Sequence, residues 1–567
     1  MRKNIIIGLM GIMTFTSCHD LDLNPLSNGS TENWYSTETE VEMAVNELYK
    51  DAFWQMDDLE NLSGTDWADD GMYRESLTAF QNARLNGQTE EVTRLWSDQF
   101  KAIARANGVI QNSHRAVDAG ASEIKINRLV AEARFHRACA YAKLMSKFGG
   151  VPLVVEELDL EECFKIGRAP LETVKKFVYD EFDAVADVLP VSCSGVQRAT
   201  CGAAWALKAR YALYMGDYDV VAEAARNVMD MNQYSLHENY GDLFLQSTKK
   251  SVESIFCLPR SIEFKEDINI QYLLPRNHGG YAAPTPTWDL FASYLCTDGL
   301  PVDESPLFDP HNPFKNRDPR LSMTIVPFGE IFMGIEYNPH PEVLEVMDYN
   351  KNKMIKNNDT RTVSQYASYT GLIWKKGMDE SCKNNSFNIE PDKIVIRYAD
   401  ILLMYAEAMI ELGQIDDTVL ECINQVRARA YGVDVADKDK YPAVTSTNQK
   451  ALRTIIRTER RMEFAKEGLR YMDLIRWKLM DEVMQKKVYI MLYPSSLLIE
   501  NVVEQGNWFW PFAPDIDENG LADFSRMAAT GQIGVIAQRQ WDERQYLWPI
   551  PTTEIIINSH MEQNPGY

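Results

Sequence analysis

The sequence predicts a mainly α-helical fold in which tetratricopeptide-like helical repeats carry a loop-rich, irregular half. Residues 200–231 and 394–430 each contain two helical patterns separated by a turn, at Gly216 and Gly413 respectively. Such helix pairs stack on one another because a single pair cannot bury its own apolar face. Between about 255 and 393, Pro, Gly, Asn and Asp become frequent, which indicates loops held on the helical scaffold.

The first residues have the layout of a signal peptide. Arg2 and Lys3 precede an apolar stretch that is too short to cross a bilayer, and Cys18 follows the end of this stretch. A cysteine at this point resembles a bacterial lipoprotein signal, so we expect residues 1–17 to be removed and the Cys18 thiol to be acylated. The alternative is an ordinary secretory signal with an incidental cysteine. Because no later apolar run is long enough for a membrane helix, the lipid is the only membrane attachment that we predict.

Helical patterns follow a polar tether at residues 19–33. Apolar residues recur at helical spacing in four segments: 40–53, 95–110, 127–148 and 171–189. Gly149 ends the third pattern, as a glycine after a helix usually does. Together with the first helix pair, these patterns define a helical region over residues 18–250. Residues 251–567 then form a second region, which contains the loop-rich insert 255–393.

Charge and cysteine content narrow the class of function. The net charge of −24 argues against nucleic acid and against contact of the protein body with an anionic membrane. It is compatible with neutral sugars, cationic peptides or protein partners. The nine cysteines include no C-x-x-C pair, so neither a zinc ribbon nor a thioredoxin-like site is indicated. Cys193 and Cys201 could form a disulfide, and the sequence leaves both states open.

The common catalytic signatures are absent from the sequence. It contains no G-x-S-x-G, no H-E-x-x-H and no phosphate-binding glycine loop. Glu463 and Glu467 could form an acid/base pair, but helical spacing favours a structural network in which Glu463 pairs with Lys466. We therefore predict that the protein is not an enzyme.

Residues 515–520 begin like a calcium loop, with oxygen ligands at alternate positions and a glycine at the sixth. The twelfth position, which needs a bidentate glutamate, is Arg526. A weak calcium site is one interpretation and a plain turn is the other; we predict no other cofactor. The candidate calcium ligands are Asp515, Asp517, Asn519 and Asp523.

Neutral sugars are one ligand class that the charge allows, and their recognition requires flat aromatic faces beside groups that hydrogen-bond to hydroxyls. Residues 66–74 interleave aromatic and acceptor side chains in a break between helices, and residues 278–288 form a second aromatic cluster. Trp96 lies in a helical pattern that also favours packing. The candidate sugar-binding residues are Trp67, Asp69, Tyr73, Trp96, Tyr281, Trp288, Tyr337 and Trp374.

Eight segments carry motifs that occur together in one family. They are AEARFHRA (131–138), FGGVP (148–152), RDPRL (317–321), IRYADILLMYAEA (396–408), ERRMEF (459–464), EGLRYMDLIRW (467–477), LWPIP (547–551) and QNPGY (563–567). In this order they resemble the SusD/RagB family of Bacteroidetes nutrient-uptake lipoproteins. The resemblance spans nearly the whole chain after the signal.

The resemblance implies a SusD-like superhelix with an irregular half, and a lipid-anchored protein exposed at the surface of the outer membrane. It implies a lid on a SusC-like, TonB-dependent transporter, to which family members deliver oligosaccharides or, in some branches, peptides. We therefore expect a glycan-binding lipoprotein with no enzymatic activity. The alternatives are a peptide-binding protein of the same architecture, a surface glycosidase and a structural adaptor.

Overall fold

The computed structural model describes residues 34–54, 67–74, 76–193 and 197–567, so Cys18, the predicted lipid site, lies outside the described residues. The α-helices are α1 (Glu38–Asn46), α2 (Glu90–Asn112), α3 (His114–Asp118), α4 (Glu123–Phe148), α5 (Leu160–Cys163), α6 (Leu171–Ala186), α7 (Cys201–Met215), α8 (Tyr218–Asp230), α9 (Trp288–Ser293), α10 (Pro319–Thr324), α11 (Tyr398–Glu411), α12 (Asp417–Tyr431), α13 (Gln449–Glu463), α14 (Arg470–Arg476), α15 (Met480–Met484), α16 (Ser495–Leu498), α17 (Ser525–Ala529) and α18 (Thr552–Ile557).

The β-strands are short. They are β1 (Gly71–Tyr73), β2 (Ser254–Leu258), β3 (Ile268–Asn269), β4 (Pro284–Pro286), β5 (Ile331–Phe332), β6 (Ile335–Glu336), β7 (Glu345–Asp348), β8 (Lys353–Lys356), β9 (Asn388–Ile389), β10 (Lys393–Arg397), β11 (Lys487–Ile490), β12 (Asp515–Ile516), β13 (Ala522–Asp523) and β14 (Gly534–Gln538).

The helical half is a continuous stack. α2 packs on α4, α4 on α6, α6 on α7, α7 on α8, α8 on α11 and α11 on α12. This nearest-neighbour stacking is the arrangement expected of tetratricopeptide-like repeats, and it confirms the predicted fold class. One apolar core joins helices from both sides of residue 250, because α7 and α8 pack against α11.

The two predicted helix pairs form for local reasons. The Thr200 hydroxyl accepts a hydrogen bond from the Ala203 amide at the start of α7, and Asp416 caps α12 by accepting from the Val419 amide. Gly216 ends α7 at φ 80°, a left-handed conformation that glycine adopts without steric cost and that turns the chain into α8.

The irregular half, which comprises the insert at residues 255–393 and the later residues 487–538, has its own core. β2 pairs antiparallel with β10, so the two ends of the loop-rich insert lie side by side. Within the insert, β5, β6, β7 and β8 form an antiparallel four-stranded sheet in sequence order, and the other strands pair as β1–β4, β3–β9, β11–β14 and β12–β13. A second apolar cluster, centred on Trp288, Trp374, Phe509 and Trp510, fills the space between these elements.

Two further features concern the chain's environment. Within the described ranges, no helix is both long enough and apolar enough to cross a membrane. Cys193 and Cys201, whose pairing the sequence leaves open, are both thiols rather than a disulfide. The Cys193 sulfur instead accepts a hydrogen bond from the Arg128 guanidinium at 3.3 Å.

Candidate functional site

Five of the predicted sugar-binding aromatic residues lie in the core, which contradicts their predicted role. The exposed fraction of these side chains is 4% or less for each of Trp67, Trp96, Trp288, Tyr337 and Trp374. Trp67 stacks on Phe80 with ring centroids 4.3 Å apart, and the Trp288 indole N–H donates to the Thr370 carbonyl at 2.9 Å. A ring that is covered on both faces by protein cannot stack on a sugar, so these residues stabilise the fold.

Asp69 is also an internal anchor rather than a contact for a ligand. Its carboxylate accepts hydrogen bonds from Arg461 at 2.8 Å and from Arg470 at 2.9 Å, on α13 and α14. Burial alone would raise the pKa of Asp69, but the two guanidinium groups outweigh burial and hold this pKa low. Asp69 therefore fixes the segment that leads into β1, which ends at Tyr73.

Tyr73 and Tyr281 remain candidates because they lie at the surface. Tyr73 is half-buried, and the exposed fraction of Tyr281 is 37%. β1 and β4 pair in the register that places Tyr73 opposite Pro284, so the two segments that the sequence singled out come together. Arg74 follows Tyr73 directly, and its guanidinium donates to the Tyr281 carbonyl at 3.1 Å.

A cluster that we call the tyrosine surface surrounds this contact. Its members come from four separate segments of the chain: Arg74, Tyr272, Tyr281, Arg361, Tyr366, Tyr369 and Tyr493. The rings of Tyr272 and Tyr281 meet edge to face with centroids 5.0 Å apart. The Arg74 guanidinium lies 5.1 Å from the centre of the Tyr366 ring. These contacts tie three loops together at one place.

Arg361 extends the tyrosine surface on its other side. Its guanidinium lies 4.0 Å from the ring centre of Tyr369 and 3.9 Å from that of Tyr493, so it sits between two aromatic rings. Tyr369 packs against the small apolar cluster of Met72, Val488 and Ile490, which supports the surface from below.

The exposure of these rings distinguishes them from the tryptophans. Tyr272, Tyr366 and Tyr493 are 49%, 47% and 50% exposed. Each is large and amphipathic, yet about half of its area faces solvent. Tyr272 contacts Tyr281 directly, and Arg74 and Arg361 each lie beside further rings of the group. Clustered exposed aromatic area of this kind often marks a binding site.

A buried aspartate supports the loop that carries Tyr272 and Tyr281. The Asp359 carboxylate accepts hydrogen bonds from the backbone amides of Arg276 at 2.6 Å and Asn277 at 3.3 Å. Burial raises the pKa of Asp359 to about 7, against the opposing effect of these two amides. Asp359 thereby links the 272–281 loop to the loop that carries Arg361 and Tyr366.

The sequence reasoning missed most of this surface. Tyr272, Tyr366, Tyr369 and Arg361 lie in the loop-rich insert, and Tyr493 lies in a later loop, so no spacing rule connects them. The residue type, tyrosine rather than tryptophan, was the feature of the sequence that could have indicated these residues. Tyrosine in a Gly/Pro/Asn-rich segment can hydrogen-bond to water through its hydroxyl, whereas tryptophan at a helix start buries its larger ring.

Glu463 and Glu467 belong to a buried ion-pair network. Glu463 contacts the guanidinium groups of Arg397 at 2.7 Å and Arg320 at 3.0 Å, and it also pairs with Arg429. Burial would raise the pKa of Glu463, but the three arginines hold it well below its usual range. A carboxylate held in this way cannot serve as a general acid, which contradicts the acid/base interpretation.

Glu467 also pairs with basic side chains from distant parts of the chain, and one ion pair predicted from the sequence is wrong. Glu467 pairs with Arg397 and Lys376, each at 2.6 Å. The predicted pair of Glu463 with Lys466 is wrong, because the Lys466 ammonium donates to the Lys376 carbonyl at 3.0 Å. These ion pairs are therefore long-range, and they connect the end of α13 and the residues after it to the insert and to Arg397.

The predicted calcium ligands form a turn. The Asp517 carboxylate accepts hydrogen bonds from the backbone amides of Asn519 at 2.8 Å and Leu521 at 2.9 Å. Asp515 pairs with Arg526 at 2.9 Å, and Asp523 accepts from the Ser525 amide. Across the described ranges, no group of three or more His, Cys, Asp or Glu side chains is arranged to hold a metal ion.

Comparison with known proteins places this geometry in a family. A sequence profile described as "SusD family" matches residues 226–567, and one described as "Starch-binding associating with outer membrane" matches residues 21–213. SusD-like protein P25 of Formosa agariphila is 26% identical over 525 residues, which cover 87% of this chain and 93% of that protein. SusD-like protein P2 of the same organism is 25% identical over the full length of both chains.

Solved structures give the same result. The crystal structure of a SusD-like carbohydrate binding protein from Bacteroides fragilis aligns with a TM-score of 0.76 and 28% identity, and it covers 93% of this chain and 99% of that one. The first profile alone covers more than half of the sequence, and its match includes the insert and α11 to α14. The chain therefore belongs to the SusD family.

Proposed function

We propose that this protein is a non-enzymatic, lipid-anchored protein of the outer membrane that binds oligosaccharides on the tyrosine surface. It delivers them to a SusC-like, TonB-dependent transporter. The observation that carries the proposal is the cluster of half-exposed tyrosine rings that contact Arg74, Arg361 or one another.

The chemistry of the tyrosine surface suits a saccharide. The C–H face of a pyranose ring is apolar and packs on an aromatic face, while its hydroxyls need donors and acceptors. The phenol groups of Tyr272, Tyr281 and Tyr366 supply both, and the guanidinium N–H groups of Arg74 supply further donors.

The comparisons support the same ligand class. The Bacteroides fragilis relative is described as a carbohydrate binding protein, and the profile over residues 21–213 is described as starch-binding and associated with the outer membrane. The predicted acylation of Cys18 would supply the membrane attachment. The negative net charge of −24 keeps the protein body away from anionic lipid.

The test is a glycan-array and peptide-library screen of residues 19–567, followed by calorimetric titration of each hit. A Tyr281→Ala/Tyr366→Ala double variant removes two rings of the surface. The matched control is Tyr349→Ala, because Tyr349 is 52% exposed but lies in the turn between β7 and β8.

Binding of one glycan class that the double variant loses and the control keeps would support the proposal. Peptide binding in place of glycan binding would favour the peptide alternative, and release of reducing sugar by the purified protein would overturn the non-enzymatic assignment. Delivery is tested separately by affinity capture of a TonB-dependent barrel from detergent-solubilised outer membranes of the source bacterium.

A further inference from the structure

A cavity lies in the irregular half, and none of its lining residues belongs to the tyrosine surface. It has a volume of about 500 Å³, and its walls include Phe314, Lys315, Phe328, Asn338, His340 and Trp508. This volume is within the range of about 300–1,000 Å³ that is usual for small-molecule sites. The cavity opens to solvent beside the loop of residues 311–315.

One wall of the cavity is aromatic and firmly supported. Trp508 is half-buried, and its ring lies 4.6 Å from His340 and 5.9 Å from Phe328, measured between centroids. Its neighbour Phe509 belongs to the second apolar core, and the Phe509 amide donates to the Pro310 carbonyl at 3.0 Å. The indole is therefore held at a fixed place while part of its surface faces the cavity.

Two polar side chains of the cavity, those of His340 and Lys315, are donors. His340 Nδ1 accepts a hydrogen bond from the Glu342 amide at 3.3 Å, so the neutral ring carries its proton on Nε2 and can donate it to a ligand. Burial lowers the pKa of His340, which keeps this ring neutral at neutral pH. Lys315 is exposed at the rim and carries a positive charge.

The charge of the residues that line the cavity differs from the negative charge of the chain as a whole. Aspartate and glutamate number 82 in the sequence, yet among the described residues that line the cavity none carries a carboxylate. Acidic side chains do lie next to lining residues. Asp309 accepts hydrogen bonds from the Asn312 side chain at 2.6 Å and from the His311 amide at 2.9 Å, Glu336 accepts one from the Asn338 side chain at 3.4 Å, and Glu342 lies two positions after His340. The Lys315 ammonium and the His340 imidazole N–H, beside an aromatic wall, are complementary to a sugar that carries an anionic group.

We infer that the Trp508 cavity is a second saccharide site, which takes a sugar unit bearing a carboxylate or sulfate group. The sugar ring packs on the exposed part of Trp508, and its anionic group lies toward Lys315. This inference rests on the proposed function in that it takes the ligand to be a saccharide, but it uses different residues.

The experiment is ¹⁹F NMR on residues 19–567 labelled with 5-fluorotryptophan. The chain has twelve tryptophans, and the signal that disappears in Trp508→Phe identifies Trp508. The probes are oligogalacturonate, oligoguluronate and chondroitin sulfate tetrasaccharides up to millimolar concentration, with methyl-esterified oligogalacturonate as the neutral match for the first probe.

We expect at least one acidic probe to shift the Trp508 signal, and its neutral match to do so at least about tenfold more weakly. Lys315→Ala should weaken the acidic response, whereas Tyr281→Ala/Tyr366→Ala should leave it unchanged. No Trp508 shift with any acidic probe would overturn the inference, as would equal shifts with esterified and free oligogalacturonate. If an acidic probe shifts the Trp508 signal but no glycan loses binding in Tyr281→Ala/Tyr366→Ala, this inference stands and the proposed tyrosine surface is contradicted.

Discussion

Two buried carboxylates, one in each half of the molecule, behave in opposite ways. Glu463, at the end of α13, is surrounded by Arg320, Arg397 and Arg429, and its pKa is held low. Asp359, in the irregular half, is equally buried but is bound by backbone amides, and its pKa rises to about 7. Each carboxylate fixes its surroundings, but only the first is neutralised by arginine side chains.

The difference reflects what each of the two carboxylates holds in place. The residues from 459 to 463 serve as a hub: Glu459 pairs with Arg427 at 2.6 Å, Arg460 with Asp400 at 2.9 Å, and Arg461 with Asp69 at 2.8 Å. Such a buried network depends on every partner, so the local sequence is tightly constrained. Asp359 holds one loop against another through two backbone amides, and these bonds place little demand on the identity of the surrounding side chains.

The largest expected effect is on the hub. Glu463→Ala leaves three buried guanidinium groups without this carboxylate, and removing one partner of a buried ion pair costs about 3–5 kcal/mol of unfolding free energy. Urea unfolding followed by circular dichroism measures the change. Asp437→Asn is the control, because its pair with Lys440 is exposed and contributes at most about 1 kcal/mol. Equal stability of the two variants would contradict the hub.

Trp67→Ala should destabilise the protein nearly as much. Removing a buried tryptophan costs about 3–5 kcal/mol, and we expect about 3 because the Trp67 indole N–H, though buried, has no hydrogen-bond partner among the described residues. Thermal unfolding measures the loss. If Trp67→Ala instead kept its melting temperature and lost glycan binding, the assignment of Trp67 to the core would be wrong.

The sequence predicted the helical half better than it predicted the tyrosine surface. The periodicity of 127–148 and the turns at Gly216 and Gly413 predicted the helical half correctly, because each depends on residues close together in the chain. Most of the tyrosine surface did not follow from the sequence, because its residues come from segments more than two hundred positions apart, such as Arg74 and Tyr366. The prediction of Trp67 and Trp288 as ligand contacts is wrong, because the composition of a loop does not show whether an aromatic ring in it faces solvent or packs into the core.

The pH dependence of stability should separate the two kinds of carboxylate. The folded-state pKa of Asp359, about 7, exceeds the value of about 3.9 for an unfolded aspartate, so the folded protein binds more protons between those limits. Its contribution to stability is complete below about pH 4 and is lost as the pH rises through about 7, with a slope of at most about 1.4 kcal/mol per pH unit.

Asp359→Asn removes this slope. The melting temperature of Asp359→Asn relative to the unmodified chain should therefore rise with pH across this interval and become constant at higher pH. Scanning calorimetry over that range tests the expectation. A difference in melting temperature that does not change with pH would show that Asp359 is ionised throughout, like Glu463.

The smallest effects belong to the tyrosine surface, where they should appear in binding and not in folding. Tyr281→Ala removes a ring that is 37% exposed, so its melting temperature should change little, while stacking on a bound glycan should weaken by about 1–1.5 kcal/mol, roughly tenfold in Kd. Tyr281→Phe keeps the aromatic face and loses only the hydroxyl, so an affinity close to that of the unmodified chain would assign the contact to stacking. If Phe and Ala weakened binding equally, the hydroxyl rather than the ring would be the recognition group, and the surface would act through hydrogen bonds as the buried hub does.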